Sequence, residues 1–534
     1  MNQKLIDPVS VTDAATAIGF EKAEHRNAST ILFDNLLRNP DNLAVTGPKG
    51  QLNYRQLCAE AARWGHGFIQ QGLKRGDRIA FFLDDTPTYP AAFFGAVRAG
   101  FVPVLLNTQI MPDLLQYLLV DTDAQIAVCE AGFTDNFSVE ATRGTRLSTI
   151  IIANGSAEHP LGCIQAEEFI AGKPDILECA DTDPDDMAFW MYSSGSTGKP
   201  KGIVHLQHDM AYTNHSFANH ILQLKPGDIC FSAPKIFFAY GFGNTFTFPF
   251  SVGAASVLMP GRPEASRVLD TIETFRPSIF FGLPTLYTAL CRRQGADKRD
   301  FSSLRLCLSA AETLSEDIFK AWKSLSGLEA VEGLGSTELL HIYLSNTPTD
   351  KRLGSAGKAV PGYDIVLKDS DGALVDPGKE GVMWVRGDSS LPAYWGRPDK
   401  TAETVRDDWI CTGDRFIERQ GFYYFQGRID DLIKVSGQWV WPLEVERCLA
   451  EHPDIHECAV LAHQLADQRM TLRAIVCLRD GHRGDEAQTK RLQQHVRDAL
   501  LPFKYPRIVE YVDELPKTGT GKIDRQKLVK MHMV

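Results

Sequence analysis

The chain has 534 residues, 44% of them hydrophobic and 23% charged, with 56 Lys+Arg against 67 Asp+Glu and a formal net charge of −11. That length exceeds one ordinary hydrophobic core and calls for at least two domains. The composition is that of a globular protein without a low-complexity tract, and the acidic balance argues against a general nucleic-acid binder. The charge is uneven: residues 431–534 hold 16 Lys+Arg against 15 Asp+Glu, so the last fifth is near neutral and meets an anion more easily.

At the amino end, MNQKLIDPVSVTDAATAIGF lacks the apolar core of a secretory signal and carries Asp7 and Asp13, which points to the cytoplasm. The eleven cysteines stand singly, with no C-x-x-C and no Cys/His cluster at zinc spacing, so neither a disulfide framework nor a structural metal is expected. Helix-like stretches at 54–73 and 113–122 alternate with the apolar runs RIAFFLDD (78–85), FVPVLLN (101–107), AQIAVCE (124–130) and STIIIAN (148–154). That alternation predicts an α/β architecture with a largely parallel sheet.

Next comes YSSGSTGKPKG (192–202), which concentrates hydroxyls, glycines and two lysines. Such a stretch is either a flexible linker or a phosphate cradle, in which backbone N–H groups approach an anion and lysines balance its charge. It is not a Walker loop, because Gly195 and Gly198 are too close and Pro200 follows Lys199. Proline also disfavours helical geometry at Lys199, so the segment is expected to act as a loop.

No charged residue stands between Lys235 and Arg262, a span long enough to suggest a membrane helix. Gly241, Gly243, Pro249 and Gly253, among β-branched and aromatic residues, predict buried strand and loop instead. SIFFGLP and LRLCLSAAE, each followed by helix-like sequence, predict a second α/β layer. From about Gly354 the texture shifts to short strands and turns in YDIVLKDSDGALV, EGVMWVRG and GFYYFQGR, a small β-rich subdomain. Helix and strand resume after GRIDDLIKVSG (427–437). The expected division is a large domain over 1–429 and a small α+β domain over 430–534.

Taken in order, YSSGSTGKPKG, FFAYG (237–241), EGLGSTE (332–338), TGD (412–414), GRIDDLIKVSG and PKTGTGKIDR (516–525) resemble the adenylate-forming superfamily over essentially the whole chain. The acyl-CoA synthetase branch is nearest, and KIFFAYGFGN with GSTELLHIYLSN resembles benzoate-CoA ligases and their aminobenzoate-activating relatives. The resemblance implies a large domain of two α/β subdomains plus a β-rich one, closed by a mobile lid. It implies activation of an acid by ATP to an acyl-AMP, which a thiol then attacks to give a thioester. ATP and CoA are co-substrates and Mg²⁺ the cofactor.

By the same resemblance Ser193, Ser194, Gly195, Ser196, Thr197, Gly198 and Lys199 hold the phosphates, with Lys201 nearby. Ala310, Ala311, Glu312, Gly333, Leu334, Gly335, Ser336 and Thr337 surround the nucleotide, Leu334 standing where many relatives carry tyrosine. Asp414 and Arg428 match ribose contacts, since a carboxylate accepts from both hydroxyls and an arginine donates to them. Glu338 and Thr197 match the Mg²⁺ ligands, and a hard oxygen suits that ion. Lys522 matches the catalytic lysine, Asp430 the hinge, and Ser436, Gly437 and Gln438 the CoA path. Whether Trp439 and Trp441 line that path or pack the domain is left open.

The acyl group is expected against Ala239, Tyr240, Gly241, Gly335 and His341, a short aromatic-rich wall suited to a flat ring. Taken singly, each of these residues has an ordinary structural reading; the motifs gain meaning as an ordered set. Benzoate is the preferred acid because no charged partner for a ring substituent is identifiable. Aminobenzoate or hydroxybenzoate is the rival, Tyr240 and His341 being able to bond a substituent, and a carrier-protein-loading adenylation enzyme is the alternative acceptor chemistry. The oligomeric state stays open, a homodimer included.

Overall fold

The structure is a computed structural model that describes residues 13–534 apart from 111, 160, 194–198, 312–313, 430–432, 436–437, 466–468, 518–522 and 533–534, and apart from the side chains of Asp13, Lys434, Trp439 and Gln526. Two compact units emerge, one of residues Met1–Ile365 with Val385–Ile410 and a smaller one of Val366–Trp384 with Cys411–Val534. The first is α/β and the second α+β. Among the described residues no helix is long and apolar enough to cross a membrane.

The larger unit holds two sheets. The first has seven strands in the spatial order Cys163–Gln165, Thr149–Ala153, Ile126–Glu130, Arg78–Phe82, Val102–Leu105, Met187–Ser193, Lys201–Leu206. All neighbours are parallel except the last two, which run antiparallel with Ser193 opposite Lys201. Continuous apolar runs such as Ile79–Phe82 and Ile150–Ala153 are buried throughout, as strands covered on both faces require. Tyr54–Gln70 is a 17-residue helix whose start is set by a capping box between Asn53 and Gln56.

The second sheet has nine strands and runs Lys358–Ala359, Ile342–Ser345, Ala330–Gly335, Leu306–Ser309, Ile279–Gly282, Ile229–Ser232, Ala255–Val257, Leu43–Thr46, Leu52–Asn53. Its central strands are parallel. At one edge Ala330–Gly335 turns back antiparallel onto Ile342–Ser345, so the connecting residues 336–341 are fixed at the strand ends. Parallel α/β sheets present such loops for ligands.

The uncharged stretch before Arg262 corrects the sequence reading. It is buried, but helical turns occupy Ala239–Phe242, Gly243–Thr247 and Phe248–Val252 before the strand Ala255–Val257. Pro249 follows directly on the π-helical turn Gly243–Thr247 of this continuous run, the kind of local adjustment by which a helix accommodates a residue without an N–H. The glycines are there for close approach: a Cβ on Gly241 would stand 2.0 Å from the Lys235 carbonyl oxygen and one on Gly243 2.4 Å from His341 Cδ2. Tertiary packing overrides their poor helix propensity.

Lys235, 5% exposed, is the charged residue that opens this stretch. Its ammonium donates to Asp84 Oδ1 at 2.9 Å and to the Met259 carbonyl at 2.6 Å, and stands 3.5 Å from Asp85 Oδ2. Burial raises the Asp85 carboxyl to about 6. The cluster ties the end of one sheet to the other.

In the smaller unit Ile455–Gln464 and Met470–Leu478 pair antiparallel, Ile508–Tyr511 joins parallel, and helices Pro442–Ala450 and Glu486–Ala499 contribute to the core through Val445, Leu449, Leu492 and Val496. The short strands expected after Gly354 include Asp364–Lys368, Glu380–Arg386, Trp409–Arg419 and Phe422–Arg428.

Replacing Lys235 by Met strands the buried Asp85 carboxylate and removes a partner of the half-buried Asp84, a change expected to lower unfolding free energy by about 3–5 kcal/mol. Denaturant melts of Lys235→Met and of the Lys235→Met/Asp85→Asn pair measure this, the second change recovering part of the loss.

Candidate active site

The strands Met187–Ser193 and Lys201–Leu206 present the two ends of the Ser/Gly/Thr loop. Ser194, Gly195, Ser196, Thr197 and Gly198 lie outside the described residues, as do Glu312, Asp430, Ser436, Gly437 and Lys522. The flanks are anchored. The Tyr117 hydroxyl donates to the Pro200 carbonyl at 3.1 Å, and the Lys199 ammonium lies 4.8 Å from the centroid of the Tyr117 ring. The Lys201 ammonium lies 4.1 Å from the Tyr394 ring centroid. The loop returns into a strand.

The connection 336–341 brings together the expected metal, nucleotide and acyl residues. Its turn Thr337–Leu339 is held by hydrogen bonds from other parts of the chain: His205 Nε2 to the Thr337 carbonyl at 2.9 Å, the Leu391 N–H to the Glu338 carbonyl at 2.7 Å, and Ser389 Oγ to the Leu339 carbonyl at 2.9 Å. His205 is itself fixed by Asp209 at 2.8 Å. The Tyr394 hydroxyl donates to Glu338 Oε1 at 2.9 Å.

Among the described residues the Glu338 carboxylate meets a neutral phenol and forms no ion pair, and no group of three or more His, Cys, Asp or Glu could hold a metal. A single charged hard-oxygen donor fits Mg²⁺, which takes one or two carboxylates and completes its shell with water and phosphate. Gly333 and Leu334 lie on the adjoining strand, opposite Ser345 and Leu344. Ala310 is buried, and Ala311 takes a φ of +73°, unusual for a residue with a side chain and a form of strain that marks functional loops.

The residues expected at the acyl group meet on the same turn. His341, 2% exposed, packs against Phe248 at 4.5 Å, Phe217 at 5.1 Å and Tyr240 at 5.6 Å between ring centroids. Burial lowers its pKa to about 3, so the ring is neutral at physiological pH. Ala239, Tyr240 and Gly241 share one helical turn, and burial pushes the Tyr240 phenol upward. His341 Nδ1, the Tyr240 hydroxyl and the Asn244 amide are buried polar groups without hydrogen-bond partners among the described residues, Asn244 standing beside the phenol without completing a bond to it. The structure thus joins Tyr240, Gly335, Glu338 and His341, and adds Phe217, Asn244, His205 and Tyr394, which local motifs do not reveal.

In the smaller unit, Asp414 lies opposite Arg428 on paired antiparallel strands, with 3.4 Å between Oδ1 and Nη1. The Thr412 hydroxyl accepts from the Asp414 N–H at 3.1 Å. Gln438 is exposed and pairs with Val435, while the Arg415 guanidinium sits 4.3 Å from the Trp441 ring centroid.

A carboxylate-bearing turn tied through Tyr394 to Lys201, on the strand that follows the Ser/Gly/Thr segment, with aromatic rings packed around His341 on the same peptide, belongs to an adenylate-forming enzyme of the acid–thiol ligase class. Comparison with known proteins supplies the family: residues 32–395 match the AMP-binding enzyme family and residues 444–522 the AMP-binding enzyme C-terminal domain, and the chain belongs to that family. It is 39% identical over 482 residues to the benzoate–CoA ligase of Thauera aromatica, covering 90% of each chain. To the 4-hydroxybenzoate–CoA/benzoate–CoA ligase of Rhodopseudomonas palustris it is 38% identical over 498 residues, 92% of this chain and 90% of that one. The crystal structure of the anthranilate CoA ligase AuaEII in complex with anthranoyl-AMP superposes with a TM-score of 0.89 at 34% identity, over 97% of this chain and 99% of that chain.

His341 makes stability depend on pH. Its folded pKa of about 3 lies below the ordinary 6.5, so the contribution is complete above pH 6.5 and is lost as pH falls toward 3. Relative to His341→Gln, the wild type is expected to lose about 2 kcal/mol between pH 7 and pH 5, read from denaturant midpoints; parallel curves would contradict a buried neutral imidazole.

Proposed function

We propose that the protein is an ATP- and Mg²⁺-dependent benzoate–CoA ligase. Activation of an aromatic acid through its acyl-AMP is the chemistry of the class; benzoate and free CoA are the specific reading. The observation that carries it is the uncharged aromatic wall around neutral His341, three residues from Glu338. A flat ring is desolvated there while its carboxylate stays near the phosphate-binding turn.

A carboxylate is a poor electrophile because oxide would have to leave. In the first step a benzoate oxygen attacks the α-phosphorus of ATP, the bond to pyrophosphate breaks, and benzoyl-AMP forms. Glu338 and Thr197 would hold the cation, and Ser193 to Lys199 the phosphates. When bound, Mg²⁺ offsets charge on the departing pyrophosphate. Lys522 bridges the carboxylate and α-phosphate as charge builds, and Asp414 with Arg428 binds the ribose. In the second step the CoA sulfur attacks the acyl carbon, the thiol proton is lost to solvent, and AMP leaves with its oxygen. Domain 430–534 turns about Asp430 between the steps, exposing the path past Ser436, Gly437 and Gln438. The match of residues 444–522 to the family's C-terminal domain, which reaches Lys522, supports the role given to that lysine.

One observation favours a second reading. The unpartnered polar atoms of Tyr240, Asn244 and His341 suit a hydroxyl or amino group on the ring.

Incubation with ATP, Mg²⁺ and CoA against benzoate, hydroxybenzoates, aminobenzoates and aliphatic acids is expected to give AMP and acyl-CoA in equal amounts, with benzoate preferred. AMP without acyl-CoA would favour a carrier-protein acceptor, and ADP would overturn the reading. Lys522→Ala is expected to slow benzoyl-AMP formation about 10²–10³-fold, while supplied benzoyl-AMP still reacts with CoA; equal loss of both half-reactions would contradict its assigned role.

A further inference from the structure

Tyr394 has a buried side chain, 3% exposed, and meets two functional groups with its two parts. Its hydroxyl donates to Glu338 Oε1 at 2.9 Å, and its ring face receives the Lys201 ammonium at 4.1 Å. The backbone around it is equally committed. Tyr394 bridges antiparallel to Ile203, the Trp395 N–H donates to the Gly202 carbonyl at 2.8 Å, and the Leu391 N–H donates to the Glu338 carbonyl at 2.7 Å. One short stretch, 389–395, therefore touches both the strand that leaves the phosphate loop and the turn that carries Glu338.

We propose that Tyr394 is a positioning residue for the adenylation half-reaction, setting the Glu338 carboxylate for the phosphate-bound cation and registering it against Lys201 of the phosphate loop. The proposal rests on the reading of Glu338 as the Mg²⁺ ligand. Its physical basis is the choice of partner. A phenol fixes one carboxylate oxygen without cancelling the charge that attracts the cation, whereas an arginine or lysine in its place would neutralise it. Hydrogen-bonding partners of metal ligands orient the ligand, and losing one costs about 10- to 100-fold in metal affinity. The ring is rigid, so a single side chain relates the carboxylate to the loop lysine. The cation–π contact also holds the Lys201 ammonium against the same ring whose hydroxyl orients Glu338.

Full-length wild type, Tyr394→Phe, Tyr394→Leu and Glu338→Gln are compared. Mn²⁺ binding to each protein loaded with α,β-methylene-ATP is followed by electron paramagnetic resonance, alongside metal-free binding of the same nucleotide and the reaction of supplied benzoyl-AMP with CoA. Tyr394→Phe keeps the ring and is expected to weaken Mn²⁺ binding at least 10-fold, with metal-free nucleotide binding and the thioester step within twofold of wild type. Tyr394→Leu, which loses the ring as well, is expected to weaken metal-free nucleotide binding a further severalfold.

Mn²⁺ affinity within twofold of wild type in Tyr394→Phe overturns the proposal. Equal losses in all three readouts also overturn it, because they mark a general lesion in the fold. Wild-type Mn²⁺ affinity in Glu338→Gln would instead overturn the metal reading of Glu338 on which the proposal stands.

Discussion

Hydrogen bonds from His205, Ser389 and Leu391 converge on the backbone of the turn Thr337–Leu339, and that immobilised turn is what the rest of the site depends on. Glu338 is in the turn and His341 follows it within three residues, so in the proposed reaction the phosphate side and the acyl side are referenced to one short peptide. Both the attacking carboxylate and the α-phosphorus must be placed in line before any bond changes. A misplacement of an ångström at such a centre costs orders of magnitude in rate, so rigidity here is a catalytic property. The strand pairing of Gly333–Gly335 with Ile342–Ser345 closes the frame from below.

The second governing constraint is desolvation. An aryl ring gains from leaving water, while a charged group in the same wall would lose far more than the ring gains. The wall accordingly carries an imidazole held neutral by burial, a protonated phenol and phenylalanines. Charge is not excluded from the neighbourhood: Lys235 lies just before the helix that bears Tyr240. It is neutralised by Asp84 and Asp85 and serves to hold the wall's supporting elements together.

Much of this was legible in sequence because the signals are local. The strands of the first sheet show as continuous apolar runs, the mark of parallel strands buried on both faces. The motifs that carry the family resemblance, among them YSSGSTGKPKG, TGD and GRIDD, are likewise contiguous stretches. The failures share one cause, action through space. Tyr394 is 56 residues from Glu338, and Lys235 is 151 residues from Asp84, with no periodicity to connect either pair. Gly241 and Gly243 read as helix breakers, yet they serve as contact points for the Lys235 backbone and the His341 ring, which only the packed helix reveals.

The central claim is that the carboxylate itself attacks the α-phosphorus. Benzoate labelled with ¹⁸O in both carboxylate positions, turned over with unlabelled ATP and CoA, tests it directly by mass spectrometry of the products. The account predicts one ¹⁸O atom in each AMP, one retained in benzoyl-CoA and none in pyrophosphate. Unlabelled AMP, or label in pyrophosphate or phosphate, would contradict it.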